Sequence, residues 1–344
     1  MSERTLLAVD GGGSKTDLAL LRPNGELLAL ARGPQSSPHQ LGVDGALEVI
    51  ENLLLEAQAE AGLPSNGEAA ELALLLLAGV DVPEEEEALR AAVARRGWAE
   101  RISVGNDTFA VLRAGTERGW GVAVVCGSGI NCVGVAPDGR HARFPALGPI
   151  SGDWGGGLDV GSAALFAAAR SEDGRGPKTS LERAVPEHFG LETPLELARA
   201  IHRGRIAGRR LTELPPLVFS EAERDAVAAE IVGRLASEVV AMARVALERL
   251  ELADEPVEVL LGGGLLQSGD GRLTAEIERS LKDLGARITV QPATSPPIVG
   301  AALLALDEVK AGPEAQERLR RELGGAVDGL RGRERGEQRT ASDG

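Results

Sequence analysis

Two stretches of this chain share one pattern of apolar and polar positions. Leu7 to Leu21 reads LAVDGGGSKTDLALL: an apolar strand ends at Asp10, three glycines and a hydroxyl-rich turn follow, and a second apolar strand returns. Val122 to Val135 reads VAVVCGSGINCVGV, again strand, glycine turn and strand. Each copy then reaches a tight turn, Pro23-Asn24-Gly25 in the first and Pro137-Asp138-Gly139 in the second. Asn-Gly and Asp-Gly are strong hairpin signals. The predicted unit is strand, phosphate-type turn, strand, hairpin, strand. Its duplication implies an α/β protein of two related domains facing each other across a cleft, with one glycine turn from each.

The rest of the chain alternates between helical and strand periodicity. Asp44 to Ala61 carries apolar residues at helical spacing, and Leu72 to Val80 reads as a buried strand. Glu84 to Arg96 is a helix whose acidic first turn suits its dipole. Leu158 to Arg170, Pro194 to Arg205 and the long amphipathic Ser220 to Leu250 also read as helical. Val257 to Leu266, VEVLLGGGLL, is a third strand-to-glycine turn, this one entering a helix. Ser295 to Leu306, SPPIVGAALLAL, is a Pro-punctuated helix start with small residues that permit close packing. Beyond Lys310 the chain is charged and Gly-rich, which predicts a disordered tail over 313–344.

Composition narrows the class. At 344 residues the chain is long enough for two cores, and 43% hydrophobic with 26% charged residues is ordinary for a soluble globular protein. A net charge of -15 argues against nucleic acid or an anionic membrane surface as partner. The longest apolar stretch, Leu72 to Val80, is too short to span a bilayer, and no secretory segment precedes the first strand. Only Cys126 and Cys132 are present, which fits a reducing, cytoplasmic compartment. Both flank the second glycine turn, where strand-core cysteines are the default. His39, His141, His188 and His202 are scattered without metal-ligand spacing and read as incidental.

The glycine turns are the candidates for chemistry, the alternative for Leu7 to Leu21 alone being an ordinary Gly-rich hairpin. Successive glycines let the backbone approach a bulky anion and aim N–H groups at it. Asp10, at the end of a buried strand, is costly to keep charged unless a cation or hydrogen bonds hold it, and beside a phosphate-holding turn that cation is Mg²⁺. The segment is not a Walker A loop, since Ser14 precedes Lys15 where glycine is required. Nor is it a dinucleotide fingerprint, because Thr16 stands in place of the third glycine and TDLALL alternates like a strand.

Five segments in this order resemble the sugar kinase, Hsp70 and actin superfamily. LAVDGGGSKTDLALL resembles its first phosphate motif, VGNDTFAVLRAG its first connecting helix, VAVVCGSGINCVGV its second phosphate motif, VEVLLGGGLLQSGD its adenosine motif and SPPIVGAALLAL its second connecting helix. Within the superfamily the chain resembles the N-acetylglucosamine kinase group, also labelled the BadF/BadG/BcrA/BcrD ATPase type. Its GPISGDWGGGLDVG, Gly148 to Gly161, resembles that group's GPxxGDEGSGYWIG segment. The resemblance implies two ribonuclease H-like (actin-like ATPase) domains around a central cleft. Residues 1–118 with 299–312 would form the first and 119–298 the second.

The resemblance also implies roles. Asp107 matches the catalytic aspartate, which takes a proton from a sugar hydroxyl as that oxygen attacks the γ-phosphate; taken without the motif, the residue reads as the N-cap of the following helix. Asp10 would orient Mg²⁺. Gly11, Gly12, Gly13, Ser14 and Thr16 would hold ATP phosphates from one side and Gly127, Ser128 and Gly129 from the other, Ser128 also reaching sugar. Lys15 either neutralises phosphate or is solvated. Gly262, Gly263 and Gly264 would let adenosine lie against backbone. Asn106, Gly152 and Asp153 fall on the sugar side, Asp153 being otherwise a turn cap, and Trp154 is either a sugar-facing ring or a core one. The implied partners are a small-molecule sugar and ATP, with a homodimer compatible with the family.

The chain departs from the group on the sugar side. Gly33 to Gln40 reads GPQSSPHQ and lacks the sugar-binding Asn of the group, so Ser36, Ser37 or His39 must substitute. Ala146 and Leu147 replace a Trp, and GDEGSGYW has become GDWGGGLD. An ATPase activator of the same type would hold an iron–sulfur cluster with cysteines in a KCAAGTG-like segment, and this chain has no such segment.

Overall fold

The computed structural model describes residues 4–65, 69–252, 254–267, 271–284 and 287–342, with side chains described to Arg331. The chain divides into two compact units, Met1–Gly119 with Thr294–Gly344, and Trp120–Ala293.

The first unit starts from the strands that the alternating pattern predicts. β1 (Leu6–Gly11), β2 (Lys15–Leu21) and β3 (Leu27–Pro34) form an antiparallel meander. After α1 (Pro38–Glu60) comes β4 (Ala70–Leu77), after α2 (Pro83–Arg96) comes β5 (Ala99–Gly105), and α3 (Thr108–Gly115) follows. The sheet order is β3-β2-β1-β4-β5, with β1, β4 and β5 parallel. Alternate residues of β1 and β2 feed two cores. Leu7, Val9, Leu18 and Leu20 pack with Leu47, Ile50 and Leu54 of α1 and Leu89 and Val93 of α2.

The second unit repeats that plan. β6 (Gly121–Cys126), β7 (Ile130–Val135) and β8 (His141–Arg143) are the antiparallel meander. Its helices are α4 (Gly157–Glu172), α5 (Leu181–His188), α6 (Pro194–His202), α7 (Pro215–Glu221) and α8 (Ala226–Arg249). Then follow β9 (Glu258–Gly262), the short α9 (Gly263–Leu266), α10 (Gly271–Lys282) and β10 (Thr289–Pro292). The order β10-β9-β6-β7-β8, with β6, β9 and β10 parallel, is that of the first sheet strand for strand. The helix predicted across Ser220 to Leu250 is two helices, because the Asp225 carboxylate accepts from the backbone N–H groups of Val227 and Ala228 and restarts the helix there.

The chain returns to the first unit with α11 (Pro297–Glu308) and α12 (Pro313–Ser342). Ile298, Leu303 and Leu306 of α11 cover the sheet face formed by Leu6, Ala8, Ala19 and Leu21. Of the tail expected to be disordered, the part from Pro313 to Arg331 is instead helix packed on the sheet, while the side chains beyond it lie outside the described residues. Leu319, Leu323 and Val327, spaced by four, are fully buried in the same core, Glu322 accepts the Leu27 backbone N–H at 3.0 Å, and Arg320 donates to the Thr116 carbonyl at 2.9 Å. A charged composition masked one apolar stripe wide enough to hold a helix on the sheet.

Candidate active site

In the first unit, the functional loops gather at the carboxyl ends of β1, β4 and β5. Asp10 is the last residue before the glycines and is 8% exposed. Burial, then the neighbouring Asp107 and Asp17 carboxylates, push its pKa well above the ordinary carboxylate range. Beyond it the turn closes by a Gly12 N–H bond to the Lys15 carbonyl (2.9 Å), leaving Gly13 and Ser14 as its exposed tip. Gly11 has no room for a side chain: a Cβ there would lie 2.4 Å from both Leu77 Cδ2 and Ser36 Oγ.

The residues after the turn are engaged within the protein. Lys15 Nζ lies 3.0 Å from Asp17 Oδ2, and Arg32 holds the same fully buried carboxylate through Nε (2.5 Å) and Nη2 (3.0 Å). Lys15, expected either on phosphate or in solvent, is thus paired with Asp17 and partly exposed. Thr16 is fully buried, and its hydroxyl donates to the Pro34 carbonyl (2.7 Å) and lies 2.8 Å from Ser36 Oγ. These bonds tie the β1–β2 turn to the loop preceding α1. Asp17 and Arg32 were not singled out from the sequence, although a charged residue inside the alternation TDLALL was the available signal.

Asp107 stands at the junction of β5 and α3, half-buried. Burial, then the Asp81 carboxylate, raise its pKa to about 7, against the pull of its own and the Thr108 backbone amides. It occupies the N-cap position of α3 but its side chain makes no capping hydrogen bond. Asn106 does that work instead, with Oδ1 accepting from Thr108 N (2.9 Å) and Thr108 Oγ1 (2.5 Å). The Asn106 carboxamide, expected on the sugar, also donates from Nδ2 to Asp81 Oδ1 at 2.7 Å. The helix itself is locked by α11: a Cβ on Gly300 would lie 1.9 Å from the Ala110 carbonyl oxygen, and buried Arg113 pairs with Asp307 at 2.7 Å.

The loop running into α1, expected on the sugar side, is close to the same place. Ser37 is 5% exposed and packs beside Gly79, where a Cβ would meet Ser37 Oγ at 3.1 Å and His39 Cγ at 3.0 Å. Ser36 is spent on Thr16, which leaves Ser37 and His39 as the polar groups of that loop facing Gly79. His39 has no metal-ligand spacing in the sequence, yet its ligand atom and those of Asp81 and Glu85 lie within 4.8 Å of one another.

In the second unit three glycine turns stack on one another. Gly157 N–H donates to the Gly127 carbonyl (2.9 Å) and Leu158 N–H to the Ser128 carbonyl (3.1 Å). A Cβ on Gly156 would lie 2.2 Å from both Ser128 O and Gly129 Cα, and Gly263, at φ 84°, would collide with the Cys126 carbonyl. Ser128, Gly129 and Gly264 remain exposed. Gly152 ends a 3-10 turn with φ 88°, and Asp153 is 9% exposed and accepts from Ser151 Oγ at 2.5 Å. Asp159 caps the next turn through the Gly155 and Gly156 amides, both at 3.2 Å. The Trp154 ring has Arg234 stacked on it at 4.1 Å and lines a cavity of about 740 Å³ with Phe166, Val227 and Ile231.

No helix among the described residues is long and apolar enough to cross a membrane. Residues 7–305 match the BadF/BadG/BcrA/BcrD ATPase family. The chain is 28% identical over 265 residues to the N-acetylmuramic acid/N-acetylglucosamine kinase of Clostridium acetobutylicum, spanning 76% of this chain and 86% of that one. It is 27% identical over 320 residues to the N-acetyl-D-glucosamine kinase of Dictyostelium discoideum, spanning 90% of this chain and 100% of the other. A solved structure from Chromobacterium violaceum, of a protein proposed to be an N-acetylglucosamine kinase, superposes with a TM-score of 0.68 at 28% identity, covering 89% of this chain and 100% of that one.

Proposed function

The chain belongs to the BadF/BadG/BcrA/BcrD ATPase family, and from that premise we propose that it is an ATP-dependent kinase of amino sugars. It transfers the γ-phosphate of Mg-ATP to a hydroxyl, with N-acetylglucosamine the leading acceptor and its 6-phosphate the product. The names of its relatives support the acceptor class. The observation that carries the chemistry is Asp107: a carboxylate at the head of α3, not spent on capping it, with a pKa raised to about 7. Such a group accepts a proton near neutral pH, as a base must when an alcohol oxygen attacks phosphorus.

The other residues position and neutralise. Buried Asp10, disfavoured as an anion by Asp107 and Asp17, has the hard oxygen chemistry and the electrostatic need that a divalent cation meets. It would hold Mg²⁺ directly or through water, and the ion would neutralise charge on the phosphates. Exposed backbone at Gly13 and Ser14, and at Ser128 and Gly129, offers amides for phosphate, while Gly262 to Gly264 let the nucleotide lie against backbone at α9. Ser37 and Asp153 are the sugar-side groups, and Thr16 and Asn106 hold loops in place.

The test is ADP release from Mg-ATP across N-acetylglucosamine, glucosamine, N-acetylmuramic acid and glucose. Turnover should depend on an amino sugar and fall by about 10²–10⁴ in Asp107→Asn, the usual contribution of a general base. ADP release indifferent to every sugar would overturn the kinase reading and leave an ATPase or nucleotide-driven switch.

A further inference from the structure

Asp81, on the connection between β4 and α2, has no part in the reading above, yet it touches the residue next to Asp107. Thr108 N–H can only donate, so Asn106 must present its carboxamide oxygen to α3. Its NH₂ group is thereby turned toward Asp81, whose Oδ1 accepts from it. Donor and acceptor roles along Asp81–Asn106–Thr108 admit one arrangement, with Asn106 and Thr108 each 2% exposed. A buried network whose polarity is fixed in this way specifies a single geometry.

Asp81 is itself anchored from two further elements. Glu85, in the first turn of α2, accepts the Asp81 backbone N–H at 2.8 Å and that of Val82 at 3.1 Å through Oε2, and faces His39 Nε2 at 2.8 Å through Oε1. Against the cost of burial, His39 and those amides hold the Glu85 carboxyl below its ordinary pKa. With its oxygens so engaged, Glu85 reads as a clamp. The first turn of α1, the start of α2 and the start of α3 therefore meet around Asp81, Glu85 with His39 on its backbone N–H and Asn106 on its carboxylate.

We propose that Asp81 is a positioning residue for Asp107: it fixes the Asn106 carboxamide, which caps α3 in place of Asp107 and leaves the neighbouring carboxylate aimed at the acceptor hydroxyl. The proposal rests on the kinase reading for its catalytic consequence and on the hydrogen-bond network for its structural one. Without Asp81 the Asn106 side chain loses its anchor, and Asp107, in the N-cap position with a carboxylate suited to capping, folds back onto the helix amides. Turnover then falls while nucleotide affinity does not.

The experiment exchanges the two side-chain types. Asn106→Asp alone sets two carboxylates face to face and should lower kcat at least tenfold, with KM for Mg-ATP within twofold. Adding Asp81→Asn restores one amide and one carboxylate across the contact and should bring kcat back to within about threefold of the parent. A double variant as slow as Asn106→Asp overturns the proposal. Amide hydrogen exchange over residues 106–112, read in the apo protein, does not depend on turnover. It should quicken in Asn106→Asp and return to the parent rate in the double variant, and an unchanged rate throughout also overturns the proposal. Asp107→Asn run in parallel separates the two readings: retained turnover there removes Asp107 from catalysis, while the exchange data still judge the Asp81 network.

Discussion

At the end of β1 stands Asp10, and at the matching end of β6 stands Cys126, each the last residue before a glycine turn. The strands around them have the same order and the same directions. The first turn is set among buried charge: Asp10 with Asp107 beside it, and Asp17 clamped by Lys15 and Arg32. The second is set among apolar side chains and is shaped by backbone pressed on backbone at Gly156 and Gly263. A repeated fold thus fixes where backbone amides point, while side chains set the charge around each turn, and under the proposed function it is the first copy that would handle cation and proton. Duplicated architecture is not duplicated chemistry.

The hardest blow to that contrast comes from removing the charge. Asp10→Ala should lower kcat/KM for Mg-ATP by about 10²–10³, the cost typical of losing one electrostatic stabiliser in a water-excluded site. It should also raise the Mg²⁺ concentration needed for half-maximal rate. Cys126→Ala should leave both within about twofold. Equal losses in steady-state assays of the two variants would mean that the copies share the work.

Alanine at the turns sharpens the contrast from the other side. In Gly156→Ala the new Cβ meets backbone at 2.2 Å, so the turn at Ser128 must move, costing roughly 1–3 kcal/mol of stability and weakening nucleotide binding. In Gly13→Ala the Cβ meets only Gln40 Nε2 at 3.6 Å, so the fold should tolerate it. Any loss of ATP affinity in Gly13→Ala then reports a phosphate approaching the turn. Calorimetry with thermal melts on the two variants makes the distinction, and a destabilised Gly13→Ala would contradict it.

Stability should depend on pH through the first unit's carboxylates and not through the second unit's thiols. A carboxyl whose pKa is raised on folding, as at Asp107 to about 7, stabilises the fold below its unfolded value and loses that contribution as pH rises through 7. Without Mg²⁺, Asp107→Asn should therefore be more stable than the parent at pH 8, by up to about 4 kcal/mol, and the two should converge only near pH 4, where the unfolded carboxyl is itself protonated. Parallel melting curves at both pH values would show that Asp107 is not held above its ordinary range.

The duplicated unit was legible in the sequence because its signals are local: glycines in a row, alternation on either side, Asn-Gly or Asp-Gly to close. Asp107 was legible as a position, but its neighbour's role was not. Asn106 and Asp107 are both good caps, and only the contact with Asp81, twenty-five residues away in the chain, decides which one serves α3. Asp81 gave no signal at all, since its partner is set by the parallel pairing of β4 with β5. The His39 cluster was hidden for the same reason, sequence spacing being no guide to ligand atoms brought together from the start of α1 and the entry to α2. The C-terminal helix was missed differently: Leu319, Leu323 and Val327 are visible at helical spacing, but charge and glycine between them outweighed the stripe.

The smallest expected effect belongs to the cysteines, and it separates two readings of the family resemblance. Cys126 and Cys132 lie on adjacent strands with 0% and 1% exposure, and burial first of all pushes both thiols above their ordinary pKa. Reactive and metal-binding cysteines are thiolates in accessible, electropositive surroundings, and these are neither. They behave as small apolar groups filling the second sheet. A thiol reagent should find no reactive cysteine in the native protein and both after denaturation. Cys126→Ala with Cys132→Ala should keep sugar-dependent turnover within about twofold and cost on the order of 1 kcal/mol per site, the scale of a small core truncation. Rapid labelling of the native protein, or turnover lost in the double variant without loss of fold, would instead give the second glycine turn a chemistry of its own, and the division of labour between the two copies would fail.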